Sequence, residues 1–228
     1  MGERKNFAVA IDGPSGAGKS TLARSVAREL GAVYVDTGAI YRTVGYCAWR
    51  QGIDPEAAEE ICALLPEIQI TMGYDAEGLQ RMYLNGEDVT KEIRLPQISM
   101  YASRVSALPE VRAFLMDMQR DMARRHSVVM DGRDIGTVVL PQADVKIFLT
   151  ASVEDRARRR WEELKDRGTP KDFDELLEEI RQRDYNDAHR AAAHLRAAED
   201  AVYLDTTGNT FEKSRGQVLE IIKEHIGQ

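Results

Sequence analysis

The sequence has little cysteine and no long apolar run. Cys47 and Cys62 show no C-x-x-C spacing and lie in segments with a helical pattern, so we expect two buried, reduced thiols, with a disulfide as the alternative. No apolar stretch reaches the length of a membrane span, and the first residues lack the apolar region of a signal peptide. Asn6 also stands where N-myristoylation requires serine or threonine. We therefore expect a cytoplasmic protein with no membrane partner.

An excess of positive charge is also missing. The net charge is -7 at pH 7, which argues against nonspecific binding of nucleic acid, so any anion site must be a local concentration of basic residues. The four histidines lack a metal-ligand spacing such as H-E-x-x-H. The guanine-reading motif N-K-x-D is absent, and a D-x-x-G lies near the C-terminus at residues 205–208, so the sequence disfavours a GTPase.

A phosphate-binding motif is present near the N-terminus. Residues 13–20 read GPSGAGKS, which matches G-x-x-x-x-G-K-[ST]. The apolar run at 7–11 predicts a strand before the motif, and Leu22, Val26 and Leu30 predict a helix after it. In this context backbone N–H groups bind phosphate oxygens, Lys19 reaches the β- and γ-phosphates, and Ser20 ligates Mg²⁺; the alternative is a glycine-rich turn before an ordinary helix. The predicted ATP-binding residues are Gly13, Pro14, Ser15, Gly16, Ala17, Gly18, Lys19, Ser20 and Thr21.

Strand and helix patterns alternate along most of the chain. Strands are predicted at 7–11, 32–35, 128–130, 145–149 and 202–204. Helices are predicted at 19–30, 38–51, 55–65, 109–125, 153–167, 173–189 and 210–226. This alternation predicts an α/β fold in three layers, with a central parallel sheet and helices on both faces, as a single domain over residues 1–228.

The middle of the chain departs from this alternation. Short strands are predicted at 68–72 and 80–84, joined by a turn-rich segment and followed by the tight turn Asn85-Gly86. We predict a small strand-rich insertion over about 67–94, within an acceptor-binding region over about 37–105. The alternative is an edge hairpin with no separate role.

A dense basic segment follows the strand predicted at 145–149. Its members are Arg156, Arg158, Arg159, Arg160, Lys165 and Arg167. Phosphoryl transfer needs cations that close over the γ-phosphate, so we predict a helical lid at about 153–170, with Arg156, Arg158 and Arg160 as the candidates that face the phosphates. The alternative is an ordinary solvated helix face, because acidic neighbours can pair with these arginines.

Three polar motifs contain further arginines, at 36–42 (DTGAIYR), 131–137 (DGRDIGT) and 183–190 (RDYNDAHR). Two of them follow predicted strands, and loops after parallel strands open at the ligand-binding edge of the sheet. Arginine presents a planar, permanently charged fork to phosphate oxygens. The sequence therefore predicts a second anion site beside the first, as in a small kinase with a phosphorylated acceptor.

These motifs, in this order, resemble the bacterial cytidylate kinases of the nucleoside monophosphate kinase family. The resemblance covers nearly the whole chain and includes ASRVSALPEVR at 102–112, DGRDIGTVVLP at 131–141 and LDT at 204–206. It implies a P-loop fold, the substrates ATP and CMP or dCMP, Mg²⁺ with ATP, and a monomer that binds no nucleic acid. Ala188 replaces a frequent serine and His194 a common proline, so the fine geometry of the ribose and lid region departs from the family pattern.

The resemblance also implies roles for individual residues. Arg42, Arg133 and Arg190 would bind the acceptor phosphate, Arg183 and Asp187 the ribose, and Ser103, Arg112 and Asp134 the cytosine, while Asp131 would act on Mg²⁺ through water or cap a strand end. The implied CMP-binding residues are Thr37, Tyr41, Arg42, Ser103, Arg112, Arg133, Asp134, Arg183, Asp187 and Arg190. The implied catalytic residues are Lys19, Arg133, Arg158 and Arg190.

Base chemistry agrees with the cytosine assignment. A carboxylate accepts from the N4 amine of cytosine and an arginine donates to its acceptor edge, whereas uracil reverses this pattern. Asp134 and Arg133 could instead pair with other charges, and Arg112 could lie on the surface. A UMP-preferring or shikimate-type kinase, or a module that senses ATP without transferring phosphate, remains the alternative for the whole protein.

Overall fold

The computed structural model describes residues 6–166, 168–189 and 195–227. These residues form eight strands, which are β1 (Ala8–Asp12), β2 (Val33–Asp36), β3 (Ile70–Tyr74), β4 (Gln80–Leu84), β5 (Glu87–Asp88), β6 (Val128–Gly132), β7 (Val145–Thr150) and β8 (Val202–Asp205). They also form eight α-helices, which are α1 (Lys19–Leu30), α2 (Thr37–Arg50), α3 (Ala58–Leu64), α4 (Ile98–Val105), α5 (Pro109–Arg125), α6 (Val153–Asp166), α7 (Phe173–His189) and α8 (Phe211–Ile226).

The central sheet has five parallel strands in the order β2-β6-β1-β7-β8. Because both faces of such a sheet are covered, successive side chains of one strand enter different cores. Val9 and Ile11 pack with α1 and α8, whereas Ala10 packs with α2, α4 and α5 on the opposite face. This arrangement confirms the predicted three-layer α/β fold.

The insertion forms a separate antiparallel sheet in the order β3-β4-β5. Met82 and Leu84 of β4 are buried in the core that contains α2, so the small sheet packs against the α2 side of the central sheet. Asn85 has a positive φ of 50° at the predicted tight turn. The predicted strand-rich insertion is therefore confirmed.

Helices α6 and α7 pack against each other around a small core of their own, which contains Ala157, Leu176 and Ile180. Helix α6 occupies the segment that the sequence assigns to the lid, and α7 follows that segment. Within the described ranges, no helix is long and apolar enough to cross a membrane.

Two helical elements were not predicted. Helix α4 contacts α2 so closely that a Cβ at Gly45 would lie 2.9 Å from the backbone nitrogen of Ala102. A π-helical turn over Ile135–Val139 follows β6, where the sequence predicts only a loop. The predicted helix at 55–65 is also shorter than expected, since α3 begins at Ala58 and ends at Leu64.

Candidate active site

The predicted phosphate loop lies between β1 and α1. Gly13 is required here because a Cβ at this position would lie 1.9 Å from the carbonyl oxygen of Leu149 on β7. Lys19, the first residue of α1, is 6% exposed and donates from Nζ to the carbonyl of Pro14 at 2.7 Å. The lysine therefore lies folded over the loop whose ligand it would neutralise.

A hydroxyl and a carboxylate meet at the start of α1. Ser20 Oγ donates to Asp131 Oδ2 at 2.8 Å, and the Tyr34 hydroxyl donates to Asp131 Oδ1 at 2.9 Å. Burial and the charge of Asp36 raise the pKa of Asp131 to about 6, against the opposing effect of Lys19. Oxygen donors of this kind, one hydroxyl and one buried carboxylate, fit Mg²⁺ bound directly or through water.

Cations from three separate segments converge on this loop. Burial lowers the pKa of Lys19, and the nearby guanidinium groups of Arg133 and Arg183 lower it further, while Asp131 acts in the opposite direction. Arg133 also donates from Nε to Asp187 Oδ2 at 2.9 Å, and Asp187 is 2% exposed. The structure thus brings the predicted acceptor residues of β6 and α7 to the phosphate loop.

A buried ion pair lies at the end of β6. Arg112 of α5 donates from Nη2 to Asp134 Oδ2, and these residues are 8% and 5% exposed. Arg112 also donates to the carbonyl of Ser106 at 3.3 Å, and its guanidinium carbon lies 5.7 Å from the centre of the Tyr41 ring. Burial raises the pKa of Asp134, and Arg112 opposes that shift.

Arg112 is therefore not a surface residue, and its role as a reader of cytosine stays a prediction. Ser103 lies in the same neighbourhood, since its carbonyl accepts from the Ser106 hydroxyl at 3.0 Å.

The remaining acceptor residues are on α2. The Thr37 hydroxyl donates to the carbonyl of Asp131 at 2.7 Å, which joins the first turn of α2 to the end of β6. Arg42 donates to the carbonyl of Ile93 at 3.1 Å and to the Ser99 hydroxyl at 2.9 Å. Burial lowers the pKa of Arg42, and the charges of Arg94 and Arg160 lower it further.

The arginines of α6 face different ways. Arg156 is 3% exposed and donates to the carbonyl of Ser15 at 3.0 Å and to both carboxylate oxygens of Asp184. Arg159 donates to the carbonyl of Ala17 at 3.3 Å and to the carbonyl of Thr206 at 2.6 Å. Arg158 is exposed, so its assignment as a catalytic residue stays a prediction.

Two predicted basic residues, Arg167 and Arg190, lie outside the residues that the structure describes. The role of Arg190 as a ligand of the acceptor phosphate therefore stays a prediction.

Two further contacts at the site were not predicted from the sequence. Asp12, the last residue of β1, accepts the backbone N–H groups of Ile135 and Gly136. Asp36 accepts from Arg94 Nη2 at 2.7 Å, and its backbone exchanges two hydrogen bonds with the Gln80 side chain. One signal was available: Asp12 is an acidic residue that directly continues an apolar strand into the phosphate loop.

Comparison with known proteins decides the family. A model of the family described as "Cytidylate kinase" matches residues 9–226. The chain belongs to the cytidylate kinase family. A cytidylate kinase of Caldicellulosiruptor saccharolyticus is 48% identical over 98% of this chain and 98% of that protein. A cytidylate kinase of an Exiguobacterium species is 51% identical over 97% of this chain and 98% of that protein.

A solved structure shares the fold of this family member. An uncharacterized protein from Eubacterium ventriosum superposes with a TM-score of 0.53 at 11% identity and covers 96% of this chain and 99% of that chain. At this identity the likeness supports the fold alone.

Proposed function

We propose that this protein transfers the γ-phosphoryl group of ATP to the phosphate of CMP or dCMP, giving ADP and CDP or dCDP. The observation that carries the proposal is the buried Arg112–Asp134 pair beside a complete phosphate loop. The membership in the cytidylate kinase family supports the same reaction.

The ion pair supports a preference for cytosine. Asp134 would accept the N4 amine of cytosine, and Arg112 would donate to its N3 and O2 edge. Uracil presents O4 and N3–H at the corresponding positions, so it would leave a carboxylate and a guanidinium unsatisfied in a buried site. Discrimination between these bases then follows from the cost of unpaired buried groups.

Charge neutralisation and alignment carry the phosphoryl transfer. The acceptor phosphate is ionised near neutral pH, so its oxygen attacks the γ-phosphorus in line and no general base is needed. Lys19 and Arg133 offset the repulsion between the two polyanions, and we propose that Arg42 and Arg190 bind the acceptor phosphate while Arg183 and Asp187 bind the ribose. Arg158 is proposed to reach the transferred group from the lid.

Mg²⁺ is proposed to bind with ATP at Ser20, with Asp131 contacting it through water. The ion would supply charge neutralisation on the transferred phosphoryl oxygens. The chain's own contribution there is to hold the Ser20 hydroxyl against a buried carboxylate.

An acceptor panel tests the proposal. Purified protein is mixed with ATP and Mg²⁺, and ADP release is measured with CMP, dCMP, UMP, AMP, GMP or shikimate. We expect rapid release with CMP and dCMP alone. Preference for UMP or shikimate would overturn the base assignment, and no release with any acceptor would favour an ATP sensor.

The proposal also takes the enzyme to act as a cytoplasmic monomer without nucleic acid. Light scattering during size-exclusion chromatography would reveal a dimer if this part is wrong.

A further inference from the structure

A buried carboxylate lies at the end of β1 and takes no part in the proposed phosphate chemistry. Asp12 is 5% exposed, and burial raises its pKa to about 6 although two backbone N–H groups oppose the shift. The charge of Asp134 raises this pKa further, while Lys19 lowers it. A charged group in such a place is costly unless its hydrogen bonds are well satisfied, so its contacts indicate its purpose.

Both oxygens of Asp12 are used on one short segment. Oδ1 accepts the N–H of Ile135 at 2.8 Å, and Oδ2 accepts the N–H of Gly136 at 2.8 Å. These N–H groups open the π-helical turn Ile135–Val139, where the first donors of a helical segment have no acceptor within it. Asp12 of β1 therefore caps this turn, although the two are 123 residues apart in the sequence.

The capped turn begins directly after Asp134. The carbonyl of Asp134 accepts the N–H of Val138 at 2.9 Å, so the backbone of Asp134 is part of the same turn. The turn is also packed closely at Gly136, because a Cβ at this position would lie 3.2 Å from the Lys146 side chain and 3.4 Å from Asp12 Oδ2. A shift of this turn would move the Asp134 carboxylate relative to Arg112.

We infer that Asp12 is a positioning residue for base selectivity, which holds Asp134 where it accepts the amine of the acceptor base. This inference rests on the proposed function, since it assigns Asp134 to the cytosine amine. Asp12 also continues into the phosphate loop at Gly13. One residue thus fixes the base-reading carboxylate to the strand that carries the phosphate site.

The main test is Asp12→Asn, which keeps the side-chain size but turns an amide N–H₂ toward one of the two backbone donors. We expect the KM for CMP to rise about tenfold and the ratio of kcat/KM for CMP over UMP to fall about tenfold, because one charge-assisted hydrogen bond is lost. The KM for ATP should change less than about twofold. If Asp12 had a merely structural role, kcat/KM would fall by the same factor with CMP and with UMP, and the KM for ATP would change as well.

A matched control is available at the opposite end of the same strand. The exposed residue Asp144 accepts the backbone N–H of Ala8 at its Oδ2 atom, at 2.8 Å. Asp144→Ala therefore removes a carboxylate–backbone contact from β1 far from the base, and we expect it to leave the CMP over UMP ratio unchanged.

Two further variants keep the inference falsifiable. If Asp12→Asn proves unfolded, Gly136→Ala provides the second test. It leaves the Asp12 carboxylate intact but forces the turn against Lys146, so it should lower the ratio of kcat/KM for CMP over UMP. In the double variant Asp12→Asn with Asp134→Asn, the loss of selectivity should not exceed that of Asp134→Asn alone, because Asp12 acts through Asp134.

The outcomes separate this inference from the proposed function. If the wild-type protein does not prefer CMP, the proposed function fails and the inference fails with it. If the wild type prefers CMP but folded Asp12→Asn keeps the wild-type ratio, or if its effect adds fully to that of Asp134→Asn, only the inference is overturned.

Discussion

At the scale of single residues, the buried Arg112–Asp134 pair is the contact on which the proposed base selection depends. The two side chains come from α5 and from the second residue after β6, and both are buried. A buried charge that loses its partner costs several kcal/mol, about 3–5 in measured cases, so neither residue tolerates removal of the other. The pair is therefore a buried structural contact, and we propose that it also reads the base.

Asp134→Asn tests this double role. The amide donates where the carboxylate accepts, so we expect kcat/KM for CMP to fall about a hundredfold or more, with a smaller fall for UMP. Steady-state kinetics with both acceptors measures the change. The matched control is Asp117→Asn, an exposed carboxylate on α5, which should leave both values unchanged. An equal loss with CMP and UMP would show that Asp134 does not read the base.

Arg156 and Arg158 form a second matched pair, since they lie on the same helix but differ in burial. Arg156→Ala leaves Asp184 without its buried partner and frees the carbonyl of Ser15, so we expect the melting temperature to fall by about 6 °C or more. Arg158→Ala should leave the melting temperature within about 2 °C of wild type and lower kcat. Thermal unfolding and initial rates measure both effects. Unchanged kcat in Arg158→Ala would remove this residue from the catalytic set.

The sequence predicts a residue's position best where that position depends on its neighbours in the chain. Lys19 and Ser20 belong to a contiguous motif, and the structure places both against the phosphate loop. Asp12 and Gln80 act on partners 123 and 44 residues away, so no local pattern identifies them. The direction that each lid arginine faces also depends on packing against other segments, which helix periodicity alone did not supply.

At the scale of elements, a polar side chain of the small sheet is hydrogen-bonded to the start of α2. Gln80 of β4 accepts the N–H of Asp36 at 2.8 Å and donates to its carbonyl at 3.2 Å. Asp36 in turn caps α2 by accepting the N–H of Ala39 at 3.0 Å. The insertion therefore supports the start of the helix that carries Arg42.

Gln80→Ala tests this support. Loss of both hydrogen bonds should raise the KM for CMP about three- to tenfold while the KM for ATP stays within twofold. The control is Gln69→Ala, an exposed glutamine just before β3. Equal kinetics of the two variants would show that the insertion does not support the acceptor site.

The regular elements were largely predictable, because apolar periodicity and glycine or proline boundaries mark them directly. Helix α4 was missed since it has only eight residues and is stabilised by close packing on α2 at Gly45. The π-helical turn was missed because it depends on the distant Asp12 cap.

At the scale of the whole molecule, an acidic chain gathers its functional cations at one edge of the sheet. The net charge is -7, yet Arg133 and Arg183 lie close enough to Lys19 to lower its pKa. Such a cluster fits two polyanionic substrates and a divalent cation.

Removal of the metal should therefore stop the reaction. With ATP and CMP present, we expect excess EDTA to abolish ADP release and added Mg²⁺ to restore it, because Lys19 and the arginines alone do not neutralise the transferred phosphoryl group. A coupled assay follows the rate. Undiminished release in EDTA would contradict the assignment of Ser20 and Asp131 to Mg²⁺.

Direct competition tests the central claim most sharply. CMP and UMP at equal concentration are mixed with limiting ATP, Mg²⁺ and the protein, and CDP and UDP are separated by chromatography at early times. The ratio of products equals the ratio of kcat/KM values, and we expect CDP to exceed UDP about a hundredfold or more. Equal amounts of CDP and UDP, or an excess of UDP, would contradict the assignment of Arg112 and Asp134 as the residues that select cytosine.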